Sequence, residues 1–277
     1  MEQTQVVKAN GNNAVANKKQ PAIKALIKSP DFLKAVSAFY DEPKNAQRFV
    51  QSALNAIVSC PKLLDCTPES VIGCQMKLAQ LNLNPDGRNA HLIPYGRVCT
   101  LIVDYKGMVQ IVRRNPNVIS VGASPVYSKD TYRETNDEYF HEVSNPFGDR
   151  GELVGFYAYC RYKNGGCDFT SMSKEKVDAI RARSRAANSG PWVTDYIEMA
   201  KKTVFKNLCK WLSMPDQDSA DALRTAIEED DKAMGFAMST KAQPRKTLSA
   251  SDILNFDSDD TSSDNAPSED EVIKEDN

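Results

Sequence analysis

The run Leu83-Asn84-Pro85-Asp86-Gly87 constrains this chain more than any other stretch, because the period of its apolar residues changes across it. Before the run the spacing is helical. Short patterns cover Ala22–Lys28 and Asp31–Tyr40, then Ala46, Phe49, Val50, Ala53, Leu54, Ile57 and Val58 trace one stripe that Pro61 ends. Thr67-Pro68-Glu69 places a capping hydroxyl before a proline at the first helical position, and Val71, Ile72, Met76, Leu78 and Leu81 follow at helical spacing. After the run, β-branched and aromatic residues gather between turn formers. Ala90–Pro94 and Arg97–Asp104 read as two strands around Tyr95-Gly96, followed by strands at Val118–Tyr127, Glu152–Tyr162 and Cys167–Met172, the last two joined at Asn164-Gly165-Gly166. Such an order predicts an α+β fold, a small antiparallel sheet flanked by helices, with a disordered acidic C-terminal tail.

Helices are interleaved with those strands. Tyr105–Arg114 reads as a short one ended by Asn115-Pro116, and Ser173 is an N-cap for another to about Ala187. Gly190-Pro191 introduces a longer helix from Trp192 to Leu212, with Ile197, Ala200, Val204, Leu208 and Trp211 or Leu212 on its buried side. A weaker stretch runs on from Pro215 to Phe236. The polar segment Ser128–Arg150 receives no assignment. The expected organisation is a flexible N-terminal arm (1–20), a core (21–236), a Pro/Lys/Ser linker (237–250) and a disordered tail (251–277).

Charge is divided along the chain. The total of 35 bases and 37 acids is almost neutral, yet residues 248–277 hold ten acids against Lys274, a charge of −9, which leaves +7 on residues 1–247. Arg161–Lys210 alone carries eleven bases and five acids. That asymmetry points to a polyanionic partner for the body, beside the plainer reading of a solvated charged surface. No apolar run is long enough to span a membrane and the N-terminus lacks a secretory core, so a cytoplasmic protein without membrane contact is expected. Seven cysteines without a C-x-x-C pair read as reduced thiols. No phosphate-cradling glycine loop occurs, which argues against ATP hydrolysis. Glu175, Asp178 and Asp195 could be gathered into a nuclease metal site, although a charged helix surface explains them as well; His91 and His141 stand in no catalytic spacing.

Two dense segments carry the chemistry. In the first, a strand delivers Tyr105 and Lys106 to a helix start, followed by Gly107, Gln110, Arg113 and Arg114: an aromatic face, an ammonium and free backbone N–H groups suited to phosphate and base. The alternative is that Tyr105 is core, Gly107 eases packing and the arginines favour the helix C-terminus. In the second, Arg181, Arg183 and Arg185 precede Pro191-Trp192 and then Lys201, Lys202, Lys206 and Lys210. Lys202, Lys206 and Lys210 recur at i, i+4 and i+8, so their ammonium groups are expected on nearly one helix face, about 6 Å apart, able to track a nucleic-acid strand. Trp192 either stacks on a base or packs against its helix.

In this order and separation, the two segments resemble the RecT family of phage and prophage single-strand DNA annealing proteins. From about Phe49 to Leu212 the resemblance includes the Ile-Pro-Tyr-Gly turn at 93–96, Tyr105-Lys106-Gly107, the strand Val154–Tyr159 and Pro191-Trp192 with Met199-Ala200-Lys201-Lys202-Thr203. Asp104 departs from it, standing where the family more often has glycine. The resemblance implies a non-enzymatic protein that binds single-stranded DNA, anneals complementary strands without ATP in homologous recombination, holds the annealed duplex, and forms a homo-oligomeric ring or helical filament. It implies DNA contacts at Tyr105, Lys106, Gln110, Arg113, Arg114, Arg161, Arg181, Arg183, Arg185, Trp192, Lys201, Lys202, Lys206 and Lys210. No cofactor or resident metal is implied, and a magnesium dependence is left open. Rival functions are a passive single-strand DNA-protecting protein and a metal-dependent nuclease. The acidic tail either competes with DNA for the basic groove or, the preferred expectation, docks a phage exonuclease or host single-strand binding protein through Ile253-Leu254-x-Phe256.

Overall fold

The computed structural model describes residues 23–236. The N-terminal arm, the linker and the acidic tail expected from the sequence lie outside the described residues. Helical segments open the fold: α1 (23–27), α2 (Pro30–Ser37), α3 (Pro43–Ser59), a 3-10 turn at Pro61–Asp65 and α4 (Pro68–Gln80). Thr67 caps α4 by accepting a bond from the Ser70 N–H, as its hydroxyl predicted. The helix ends where the apolar period changes. Asn82 adopts φ 48°, the Asn82 N–H donates to the Ala79 carbonyl and the Leu83 N–H to that of Leu78, so an αL residue closes the last turn and ties up its carbonyls.

Beyond that cap come β1 (Ala90–Tyr95) and β2 (Val98–Val103), an antiparallel hairpin whose turn uses Gly96 at φ 60°. α5 (Tyr105–Val112) follows, then β3 (Val118–Tyr127), β6 (Leu153–Tyr162) and β7 (Cys167–Ser173), which pair antiparallel in the order β3-β6-β7. Between β3 and β6, the unassigned polar segment forms a further hairpin, β4 (Thr131–Glu134) with β5 (Tyr139–Glu142). The small antiparallel sheet of the sequence reading is thus three antiparallel pieces in an α+β fold.

Strand alternation gives the β3-β6-β7 sheet two different faces. Phe156, Ala158 and Cys160 of β6 enter the core beneath α8 (Tyr196–Cys209), whereas Tyr157, Tyr159 and Arg161 face the β4–β5 hairpin. Tyr139 of that hairpin stacks near Tyr157, Tyr159 and Phe169 at 4.9, 5.8 and 5.3 Å between ring centroids, and accepts a 3.0 Å bond from the Arg161 guanidinium. Aromatic area, which the polar residues around it hid in the sequence, fixes the hairpin.

Asp130 anchors the hairpin's base. Its carboxylate is fully enclosed and accepts bonds from the Arg150 guanidinium, the Tyr127 N–H, His141 Nε2 and Ser144; His141 Nδ1 reaches the Tyr157 hydroxyl at 3.1 Å. The Arg150 bonds, aided by the others against the cost of burial, hold this carboxyl far below the usual carboxylate range. A depressed folded-state pKa means that its stabilisation is complete above the unfolded value of about 4 and is lost as pH falls below it. Hydrogen exchange should therefore show amides of 131–142 losing protection selectively as pH drops from about 5 to 3, after correction for intrinsic exchange, and Asp130→Asn should abolish that pH dependence.

The helices after β7 differ from their sequence reading. Ser173 caps α6 as expected, but α6 (Lys174–Arg181) stops well short of Ala187. The single helix expected over Trp192–Leu212 is two, α7 (Pro191–Thr194) and α8, separated at Asp195, whose φ −137° and ψ 47° are not helical. Ala200, Val204 and Leu208 are buried as expected, joined by Phe205 and Cys209, while Ile197 is exposed and Trp211, beyond the last helical residue, is 79% exposed. α9 (Gln217–Met234) packs on β2 and α5 and ends on Gly235 at φ 82°. A second αL cap forms there, with the Gly235 N–H on the Lys232 carbonyl and the Phe236 N–H on that of Asp231.

Candidate nucleic-acid interface

Asp104 ends β2 and starts α5, accepting from the Tyr105 N–H. Its carboxylate lies 3.5 Å from His91 Nε2; burial raises its pKa, but His91, Lys202 and the Tyr105 N–H outweigh that and leave it below the ordinary value. The residue that departs from the family pattern is therefore a helix cap. Gly107 serves packing: a Cβ there would stand 2.3 Å from the Asn89 carbonyl oxygen, so α5 can sit against the 89–90 backbone only with glycine. Tyr105 is half-buried, its ring edge-on to Phe205 at 5.0 Å with Lys201 Nζ 5.7 Å from its centroid, and burial pushes its hydroxyl up to about 12.

A groove of about 1110 Å3 opens between the β1–β2 hairpin, the start of α5, the 185–195 segment and the C-terminal turn of α9. Ile93, Val98, Ile102, Trp192, Met199 and Met234 supply its apolar lining; Lys106, Arg185, Lys232 and the Asp230-bonded Lys202 bring cations to it, and Asp104, Asp195 and Glu198 bring acids. Two of those acids are engaged, Asp104 with His91 and Glu198 with Lys201. Lys106 and Arg185 have no carboxylate partner among the described residues. The two sequence segments, some eighty residues apart, thus meet across one cleft. From Lys106, exposed Gln110 and Arg113 continue along α5 at helical spacing.

The lysine stripe on α8 is a correction. Lys202 and Lys206 do not project into solvent; Lys202 is buried with Nζ 2.5 Å from Asp230, and Lys206 bonds Asp230 at 2.7 Å and also Asp231. Burial lowers the Lys206 pKa, but the two carboxylates overcome it and hold the ammonium above the usual lysine range. α9, not a nucleic acid, satisfies both ammonium groups, and only Lys210 of the three is exposed. The signal was present in Glu228-Glu229-Asp230-Asp231, an acid run on the following helix.

The other expected contact residues divide. Trp192 is core, 2% exposed, and its indole N–H has no partner among the described residues, so packing rather than open stacking describes it. Arg114 is half-buried and donates to the Asn82 carbonyl, which places it in the α4 cap. Arg181 donates to the Ala187 carbonyl and lies 5.7 Å from the Tyr196 ring, and Lys201 pairs with Glu198. Arg161 belongs to the aromatic face, away from the groove lining. Arg183 is exposed. Sequence reasoning missed Lys232 and Met234 in the groove, because the weak apolar period of α9 concealed which of its ends meets β2. Among the described residues no group of three His, Cys, Asp or Glu side chains could hold a metal ion, and no helix is long and apolar enough to cross a membrane.

An α+β frame thus carries one cleft in which an apolar lining meets Lys106 and Arg185, two cations without carboxylate partners among the described residues. The chain belongs to the RecT family, whose pattern matches residues 47–246. It is similar to Protein RecT of Escherichia coli (strain K12), with 28% identity over 238 residues that cover 81% of this chain and 86% of that protein. It is also similar to Uncharacterized protein YqaK of Bacillus subtilis (strain 168), 26% identical over 223 residues, 79% of this chain and 76% of its relative. It is a single-strand DNA-binding and annealing protein of recombination.

Proposed function

We propose that the chain anneals complementary strands without ATP, by holding one strand through its sugar–phosphate backbone along Lys106, Gln110 and Arg113, with Arg185 on the opposite wall. The observation that carries this reading is the convergence of Lys106 and Arg185, both without carboxylate partners among the described residues, on one groove. Replacing condensed counterions on each strand lowers the repulsion between two polyanions, with a salt slope near −0.7 per phosphate on single strands. Contacts confined to phosphates leave the Watson–Crick edges free to meet a second strand. Arg183 and Lys210 are exposed as well. Because pairing must proceed over many nucleotides, the protein assembles head to tail on DNA, as an open heterologous contact allows, and acts in the cytoplasm.

Mixing two complementary labelled oligonucleotides with the protein, without nucleotide, tests this. Duplex should form at least tenfold faster than with buffer alone, with strands of unchanged length. Binding without acceleration would make it a passive protecting protein, and shortened strands would make it a nuclease.

A further inference from the structure

The groove contains more than a phosphate rail needs. A backbone held by Lys106 and Arg185 has no use for Ile93, Val98, Ile102, Met199 and Met234, yet these give the cleft an apolar lining. Its one aromatic ring well exposed to a base is Tyr95 at the hairpin tip, since Trp192 is buried. An apolar lining with cations beside it fits a peptide that alternates apolar and acidic residues.

The chain carries such a peptide. Asp252-Ile253-Leu254-Asn255-Phe256-Asp257-Ser258-Asp259-Asp260 sets three apolar side chains among four carboxylates, within a segment of charge −9. The described chain ends at Phe236, two residues after Met234, which itself lines the groove. The last described residue therefore stands close to the groove along the chain. Ile253 lies 17 residues further, a tether with a maximum reach of about 60 Å, where a generic 17-residue coil spans about 20–25 Å root-mean-square. Tethering at such a span corresponds to a local concentration on the order of 1 mM. A contact with a free-peptide Kd near 0.1 mM would then be occupied about ten to one.

We propose that the groove is the docking site of the chain's own segment 252–260, with Ile253, Leu254 and Phe256 on the apolar lining and the flanking aspartates on Lys106 and Arg185. Single-stranded DNA and this segment then compete for the same two cations, a consequence that rests on the DNA reading given above. Docking in this form is a sequence-neutral filter: short or weakly held nucleic acid fails to displace the tail, while a long strand engaging many subunits succeeds.

The full-length protein with the photo-cross-linker p-benzoylphenylalanine in place of Leu254 tests the proposal directly. Expected are intramolecular adducts on groove peptides containing Met199 or Met234, their loss when Ile253→Ser and Phe256→Ser are added, and their decline as a 40-nucleotide single strand is titrated in. In the native background, Ile253→Ser/Phe256→Ser should raise affinity for that strand about tenfold at low salt. Adducts elsewhere in the fold overturn the docking, and adducts joining isotopically distinct copies assign the groove to a second subunit and overturn it too. Groove adducts that persist at saturating DNA support the docking while refuting the groove as the DNA site.

Discussion

Replacing Asp230 by alanine is expected to lower the stability of the fold by about 3–5 kcal/mol, because it leaves a buried ammonium without a counter-charge. Asp230 is 1% exposed and bonds both Lys202 and Lys206, whose side chains are 7% and 12% exposed. Lys206 keeps Asp231 after the change, but Lys202 has no second carboxylate within ion-pair distance among the described residues. Most of the loss thus comes from stranding Lys202. For a domain of this size it amounts to a fall in melting temperature of roughly 6–20 °C. A companion variant separates the charge effect from lost packing. Lys202→Met, Lys206→Met and Asp230→Leu together remove the three buried ions while keeping apolar volume, leave Asp231 at its partly exposed position, and should lie within about 2 kcal/mol of the native protein. Thermal denaturation followed by circular dichroism reads both; a loss under about 1 kcal/mol for Asp230→Ala would mean that water reaches this cluster.

The same cluster shows how far the fold and site were legible beforehand. Local signals carried the fold: the Thr67 hydroxyl, the Asn84-Pro85-Asp86-Gly87 turn and Gly96 each act within a few residues, and each element they predicted is present. Where a tertiary partner decides, local reading failed. Lys202 and Lys206 looked like a strand-tracking stripe because helical spacing fixes the direction of a side chain on its own helix, not what packs over that face. The β4–β5 hairpin went unseen because Tyr132 and Tyr139 find their aromatic neighbours on β6 and β7, about twenty to thirty residues away. The break at Asp195 follows a short helix that buries Trp192 in the core, a placement no pattern of spacing reports. Lys106 and the 181–192 segment were found as separate texts; their meeting across one groove is a property of the fold.

For that reason, DNA-binding substitutions divide by burial rather than by charge alone. Lys106→Ala with Arg185→Ala should weaken binding to any single strand by about 100-fold near 50 mM salt. Each charge-assisted contact contributes about 1.5 kcal/mol, and 1.4 kcal/mol is tenfold. The loss should be alike for different base compositions, and the salt slope should flatten by about 1.4, two counterion terms of 0.7. Melting temperature should stay within about 2 °C, since Lys106 and Arg185 are exposed and neither stands in an ion pair among the described residues. Lys202→Ala and Lys206→Ala should behave oppositely, losing stability while retaining the salt slope per folded molecule, because their ammonium groups already hold Asp230 and Asp231. Fluorescence anisotropy at four salt concentrations, with melting curves on the same samples, separates the two behaviours. A native slope in Lys106→Ala/Arg185→Ala would remove the groove from the DNA path, and a flattened slope in a stable Lys202→Ala protein would mean that α9 lifts off when DNA binds.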